Sequence, residues 1–237
     1  MAVDHEMLDE LSDWNHGWRA IFPNLSEVYV PGEGDNPQVM IVGEAPGAQE
    51  EIYKRPFVGA AGRVLRDLMA GVGLFTGLTP HFGKPNCWLT NVVHFRPPRN
   101  RTPLPQEITV ARSGLRAEWV AVGRPRIIVP VGGVALGAIM GRKLSILKMA
   151  GTPIFKTSQE GRRLAIWPMI HPSFGLRNKS AIPQIEEQWD VFGEWLSDPY
   201  HALIDELHLS AKRLGLKRTS LEPGIIPDDV IRHDPNS

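Results

Sequence analysis

Residues 38–47 read QVMIVGEAPG, four consecutive apolar side chains closed by Gly43 and followed at once by Glu44, Ala45, Pro46 and Gly47. A short apolar run bounded by breakers is a buried strand leaving through a tight turn. Downstream, residues 62–71 (GRVLRDLMAG) place Val64, Leu65, Leu68 and Met69 at helical spacing. A second strand is expected over 87–93 (CWLTNVV), followed by the loop HFRPPRNRTPLP, which four prolines keep irregular. A helix follows from about 105 to 122, then a strand over 126–131, a helix over 133–140 and a strand over 164–169 that delivers His171, Pro172 and Ser173. Residues 183–208 have the pattern of one long amphipathic helix or two shorter ones, and no internal repeat is present. Alternating strands and helices imply a three-layer α/β/α sandwich around a central, mainly parallel four-stranded sheet. In such sheets ligands bind beyond the C-terminal strand ends, where the EAPG turn, Asn91 and His171 all fall.

The chain of 237 residues is long enough for one large domain with a sizeable core. Three segments are expected: an acidic helical lead-in over 1–29, the α/β unit over 30–208 and a tail over 209–237. No stretch approaches the ~18 apolar residues of a membrane span, and the N-terminus lacks signal-peptide character, so a cytoplasmic protein without a membrane partner is expected. Cys87 is the single cysteine, which excludes an intrachain disulfide and a cysteine-ligated cluster or zinc site.

Overall charge is balanced, 26 basic against 26 acidic side chains, but its distribution is not uniform. Residues 1–53 carry 1 basic and 11 acidic groups, 54–179 carry 20 and 4, and 180–237 carry 5 and 11. The central block is thus a candidate footprint for a polyanion between two acidic flanks.

Several residues could carry chemistry. Glu44 and Gly47 leave the first strand directly; neither GxxxxGK[ST] nor GxGxxG is present, so phosphate cradling by those routes is excluded. Phe57, between Pro56 and Val58, is either a loop anchor or a stacking platform for a planar base. Asn91 offers a donor and an acceptor side by side, as the edge of a uracil-like base requires, although a strand-end Asn is also an ordinary turn residue. His171 is either a satisfied core histidine or the opening of an anion-facing turn beside Arg177, Asn178 and Lys179.

Together, GEAPGAQEEIYKRPFVGAAGRVLRDLM (43–69), LTNVVHFRPPRNRTPLPQEI (89–108), the stretch 125–154 and HPSFGLRN (171–178) resemble the uracil-DNA glycosylase superfamily, in particular its family-4 branch. The resemblance implies hydrolysis of the N-glycosidic bond of a flipped-out deoxynucleotide in single- or double-stranded DNA, as in base excision repair. It implies that Phe57 stacks on the base, Asn91 reads its edge, and His171 donates a hydrogen bond to the anion developing on O2. Glu44 is the candidate for activating water or stabilising the cationic sugar, with Glu50 and Glu51 as lesser alternatives. Gly47 stands where the uracil-strict branch carries a Tyr, which leaves room at C5 of the pyrimidine. Pro172, Ser173 and Leu176 resemble the loop that compresses the backbone and fills the flipped base's place, Leu176 serving as wedge because Gly175 stands where a Leu is usual. Arg96, Arg99, Arg101 and Arg177 are the expected phosphate contacts, and a monomer is expected because a duplex needs an unobstructed face.

The same resemblance implies four cysteines around an iron–sulfur cluster, and here the sequence departs from it. Phe95 and about Ala111 stand at two of those places, and Trp14, Trp18, Ile21, Phe22 and Phe95 are available as a hydrophobic plug. No cofactor is expected. Two further readings stay open: a glycosylase for 5-substituted pyrimidines, in repair or anti-phage defence, and a DNA-binding module of this fold without turnover. The purified protein is expected to be colourless; a brown preparation with stoichiometric iron and sulfide would overturn the cofactor-free reading.

Overall fold

Strand β1 (Val39–Gly43) is buried along its whole length because it lies in the middle of the sheet with helices on both faces. Val39 and Ile41 point into one apolar cluster, and Met40 and Val42 into the other. That period of two is hidden in the sequence because both faces are apolar, as in any doubly covered sheet. A computed structural model describes residues 3–35, 38–76, 83–157 and 163–198.

In chain order, α1 (His5–Arg19) precedes β1, after which come α2 (Ala48–Tyr53), α3 (Ala60–Gly71), β2 (Phe75–Thr76), β3 (Lys84–Pro85) and β4 (Trp88–Asn91). Then follow α4 (Pro105–Ala121), β5 (Ile127–Pro130), α5 (Gly133–Met140), α6 (Ile146–Met149), β6 (Ile154–Thr157), β7 (Arg163–Ile166), α7 (Pro172–Arg177) and α8 (Ile182–Ser197). The main sheet has the order β4-β1-β5-β7-β6, parallel except for β6, and β2 and β3 form a separate antiparallel pair. The expected four strands are therefore five. Strand β6 escapes the sequence reading because it is a half-exposed edge strand, with Lys156 and Thr157 in solvent and no apolar run to mark it. The helix expected over 183–208 is α8 as far as Ser197; residues 199–208 and the tail lie outside the described residues.

Helices α3, α7 and α8 pack together on one face, and α1, α4 and α5 on the other. The first face is filled by Leu65 and Met69 of α3 and by Ile185, Trp189 and Phe192 of α8. The second is built from Trp18 of α1, Ala111 and Leu115 of α4, and Ala135 and Ala138 of α5. Helix α1 starts at Asp4, whose carboxylate accepts the Met7 N–H at 3.0 Å. Among the described residues no helix is long and apolar enough to cross a membrane.

The second face also buries a polar knot. The Glu118 carboxylate of α4 accepts from Trp88 Nε1 at 2.9 Å and from Thr90 Oγ1 at 2.9 Å, with His94 Nε2 at 3.3 Å. Tyr29 stacks on His94, with ring centroids 5.2 Å apart. Gly32 crosses so close that a side chain there would overlap the Glu118 carboxylate and the Trp88 indole. Paired buried groups of this kind contribute little net stability, but removing one partner strands the others. Glu118→Ala is therefore expected to lower stability by about 3 kcal/mol or more, read as a lower urea midpoint at unchanged m-value; an unchanged midpoint would refute the knot.

Candidate active site

The register of the sheet brings the end of β1 beside the end of β4, pairing Gly43 with Asn91. A Cβ built on Gly43 would overlap the Asn91 Oδ1 and come within 2.6 Å of the Phe57 ring. The absence of a side chain at position 43 is what lets ring and carboxamide meet at the strand ends. Asn91 is 4% exposed, yet no protein group among the described residues pairs with its side-chain amide. A carboxamide in this state offers a donor and an acceptor side by side at the strand ends.

Phe57 is held in a left-handed conformation, φ +56°, at a steric cost of about 1–2 kcal/mol for a residue with a Cβ. Arg66 of α3 offsets that cost. It is fully buried and donates through Nε to the Phe57 carbonyl at 2.8 Å and through Nη2 to the Pro56 carbonyl at 2.7 Å. Nη2 also pairs with Glu33, which accepts in addition from Arg55 Nε at 2.7 Å. Neither Arg66 nor Glu33 stands out in the sequence, because a single Arg on an amphipathic helix reads as a solvent-facing charge.

Glu50 was a lesser alternative for water activation, and its geometry gives it a different task. Its carboxylate accepts the Gly47 N–H at 3.1 Å and the Gly59 N–H at 2.6 Å, joining the EAPG turn to the first turn of α3. A Cβ at Gly47 would lie 2.8 Å from the Glu50 carboxylate, so the room at position 47 borders on this group. Glu51 instead pairs with Arg96 at 2.9 Å. Glu44 is half-buried; burial pushes its carboxyl above the ordinary carboxylate range, with a hydrogen bond from the Thr102 side chain acting in the opposite direction. A raised carboxyl is a better proton acceptor when it ionises, which suits a water-activating base.

His171 caps α7 from beyond β7, its Nδ1 accepting the Ser173 N–H at 3.1 Å. It sits across from Gly132, whose φ of +99° forms the β5–α5 turn and whose hypothetical Cβ would be 3.4 Å from the His171 Cβ. Burial, helped by the Arg177 charge and opposed by Glu50, lowers the His171 pKa to about 4. The ring is therefore neutral near pH 7, and because Nδ1 is an acceptor its one proton lies on Nε2.

The remaining predicted residues divide. Pro172 and Gly175 are buried, and a side chain on Gly175 would press on Ile182 and Ile185 of α8. Leu176 beside it is 50% exposed, as are the neighbouring Arg177 and Lys179 to a large extent. Arg96 is bound to Glu51 and to Asn100, and Arg101 forms a two-bond pair with Glu107 at 2.7 and 2.9 Å. Arg99 is exposed at the tip of that loop.

Phe95 and Ala111, the positions aligned with two cluster cysteines, are both buried in the apolar cluster under α1. Trp18 and Tyr29 pack on Phe95 with ring centroids 5.7 and 5.6 Å away, and Phe22 packs on Trp18. Trp14 and Ile21, also expected in the plug, are 42% and 71% exposed: α1 turns Trp18 inward, leaving Trp14 lying across Gly114 where α1 meets α4. These residues offer rings and methyl groups where a cluster needs thiolates and do not fit one. Among the described residues no group of three or more His, Cys, Asp or Glu is arranged to hold a metal ion. Cys87 is buried, and its thiol is pushed well above the ordinary range by desolvation.

Fold and strand-end residues thus define an open α/β protein in which an aromatic ring and a carboxamide converge at the ends of parallel strands. The chain belongs to the uracil-DNA glycosylase superfamily: the profile described as "Uracil DNA glycosylase superfamily" matches residues 31–195. It is 38% identical over 153 residues to the Type-4 uracil-DNA glycosylase of Thermotoga maritima, an overlap covering 64% of this chain and 73% of that one. The proteins of the same description from Archaeoglobus fulgidus and Pyrobaculum aerophilum are 29% and 34% identical over 183 and 167 residues, covering 76% and 69% of this chain and 87% and 81% of theirs.

Histidine chemistry makes the site's tautomer measurable. The unfolded imidazole titrates near ~6.5, so acidification from there toward pH 4 lowers stability, while above pH 6.5 the contribution is complete. Nitrogen-15 NMR of His171 is expected to show the Nε2–H form at pH 7 and a midpoint about 4; a midpoint near the unfolded value would contradict the neutral ring.

Proposed function

We infer that this protein is a uracil-DNA glycosylase, which hydrolyses the bond between uracil and deoxyribose in DNA and leaves an abasic site. The observation that carries the residue assignment is the convergence of the Phe57 ring and the Asn91 carboxamide on the space that a side chain at Gly43 would fill. The family match over 31–195 supports taking residues 30–208 as the glycosylase unit.

In the proposed reaction the flipped uracil stacks on Phe57 and presents its N3–H and O4 to the donor–acceptor pair of Asn91. The C1′–N1 bond breaks, its electron pair leaves with the base, and negative charge gathers on O2. The Nε2–H of neutral His171 donates to that oxygen, which lowers the barrier without moving a proton. Water adds to C1′ of the cationic sugar, and Glu44 takes its proton. Gly47 and the Glu50 carboxylate border the C5 side of the base, where a 5-substituent would have to fit. Leu176 enters the space left by the base, while Arg99 and Arg177 contact phosphates. Arg96 and Arg101, held by Glu51 and Glu107, fix the shape of the loop that carries Arg99.

Oligonucleotides with uracil or 5-hydroxymethyluracil, single- and double-stranded, followed by alkali treatment, test this reading. Release of uracil is expected, with Asn91→Ala and His171→Ala each about 100-fold slower or worse in single turnover and each still unfolding cooperatively, His171→Ala at a lower temperature because the α7 cap is lost. Cleavage confined to hydroxymethyluracil would favour a modified-base enzyme, and full activity of both variants would show that the site is misplaced.

A further inference from the structure

We propose that Arg66 is a positioning residue of the reaction, a buried clamp that sets the Phe57 platform at the distance and tilt needed to stack on the flipped base. The proposal rests on the reading that Phe57 receives that base. A loop residue in the left-handed region has no regular hydrogen-bonding neighbours to hold it, and the 56–57 carbonyls would be stranded beneath the ring. The planar guanidinium satisfies both, one through Nε and one through Nη2. Arg suits this place better than Lys because its donors form a fixed fork. Gly62, one helical turn before Arg66 on α3, completes the seat: any side chain there would overlap the Phe57 carbonyl.

The clamp is itself anchored. Glu33 neutralises the buried cation, and Arg55 grips the same carboxylate at 2.7 and 3.3 Å, so the residue just before Pro56 and the clamp beneath it close on one group. The guanidinium also lies over the Phe75 ring, 5.4 Å from its centroid. The one other charged side chain that donates into this loop among the described residues is Arg63, whose Nη1 reaches the Val58 carbonyl at 3.5 Å from the exposed side, so the Pro56 and Phe57 carbonyls themselves are held by Arg66.

A double-mutant cycle tests the clamp. Arg66→Lys and Arg66→Met, each alone and combined with Phe57→Ala, are compared in saturating single-turnover release of uracil, with the active fraction read from the amplitude. Both are expected to slow the rate constant about tenfold, to keep the amplitude and the affinity for an abasic duplex, and to have almost no further effect once Phe57 is alanine. A rate within twofold of wild type, or a loss that persists undiminished without Phe57, would overturn the proposal and leave Arg66 a general stabiliser. If neither variant folds, Glu33→Gln keeps the cation and is expected to slow release about threefold only when Phe57 is present; no change would again overturn it. Hydrogen exchange over residues 57–59 is expected to quicken in every clamp variant. That measurement needs no turnover, so a wild-type protein that releases no uracil would count against the glycosylase reading alone, while unchanged exchange would count against the clamp alone.

Discussion

The pairing of Gly43 with Asn91 at the ends of two parallel strands is the constraint on which the site depends. Because β1 finishes in a residue without a side chain, the ring of Phe57 and the amide of Asn91 occupy the volume that a Cβ would take. Every neighbouring device serves that approach. Glu50 fixes the turn after β1, Arg66 fixes the loop before α3, and the Gly132 turn leaves room for His171. A sheet with helices on both faces gives these loops a rigid base, so small changes in their anchoring move the ring and the amide rather than the fold.

Charge shows the same division between support and contact. The basic block of 54–179 opposes the acidic flanks, but several of its members are not available to a polyanion. Arg55, Arg66, Arg96 and Arg101 are all spent on internal carboxylates. The exposed remainder, including Arg99, Lys148, Arg177 and Lys179, is what a DNA backbone would meet. The acidic partners of the first group lie partly outside the block, as Glu33 and Glu51 do, so segment charge overstates the binding footprint.

Much of this was legible in the sequence, and the reasons differ by element. The parallel strands β1, β4 and β5 announce themselves as apolar runs ending in turns, and the strand-end positions of Glu44, Asn91 and His171 follow from the topology of such sheets. Strand β6 was invisible because an edge strand with one wet half carries no period that outweighs its polar residues. Arg66 and Glu33 were invisible for another reason: their meaning lies in a pairing across 33 positions that no local pattern encodes. The aromatic plug was partly legible, since composition identifies the rings but only the rotation of α1 separates Trp18, inside, from Trp14, outside.

Residues 29–35 lie along the outer side of β4, where Glu33 and Leu89 exchange both backbone hydrogen bonds, 2.9 and 2.8 Å long. A strand edge left bare is a template for another chain, and this segment occupies it. The side chain of Glu33 meanwhile anchors the cation under Phe57. Detachment of this one strip would therefore create a sticky sheet margin and release the Phe57 ring at the same moment, which couples resistance to self-association with the placement of that ring.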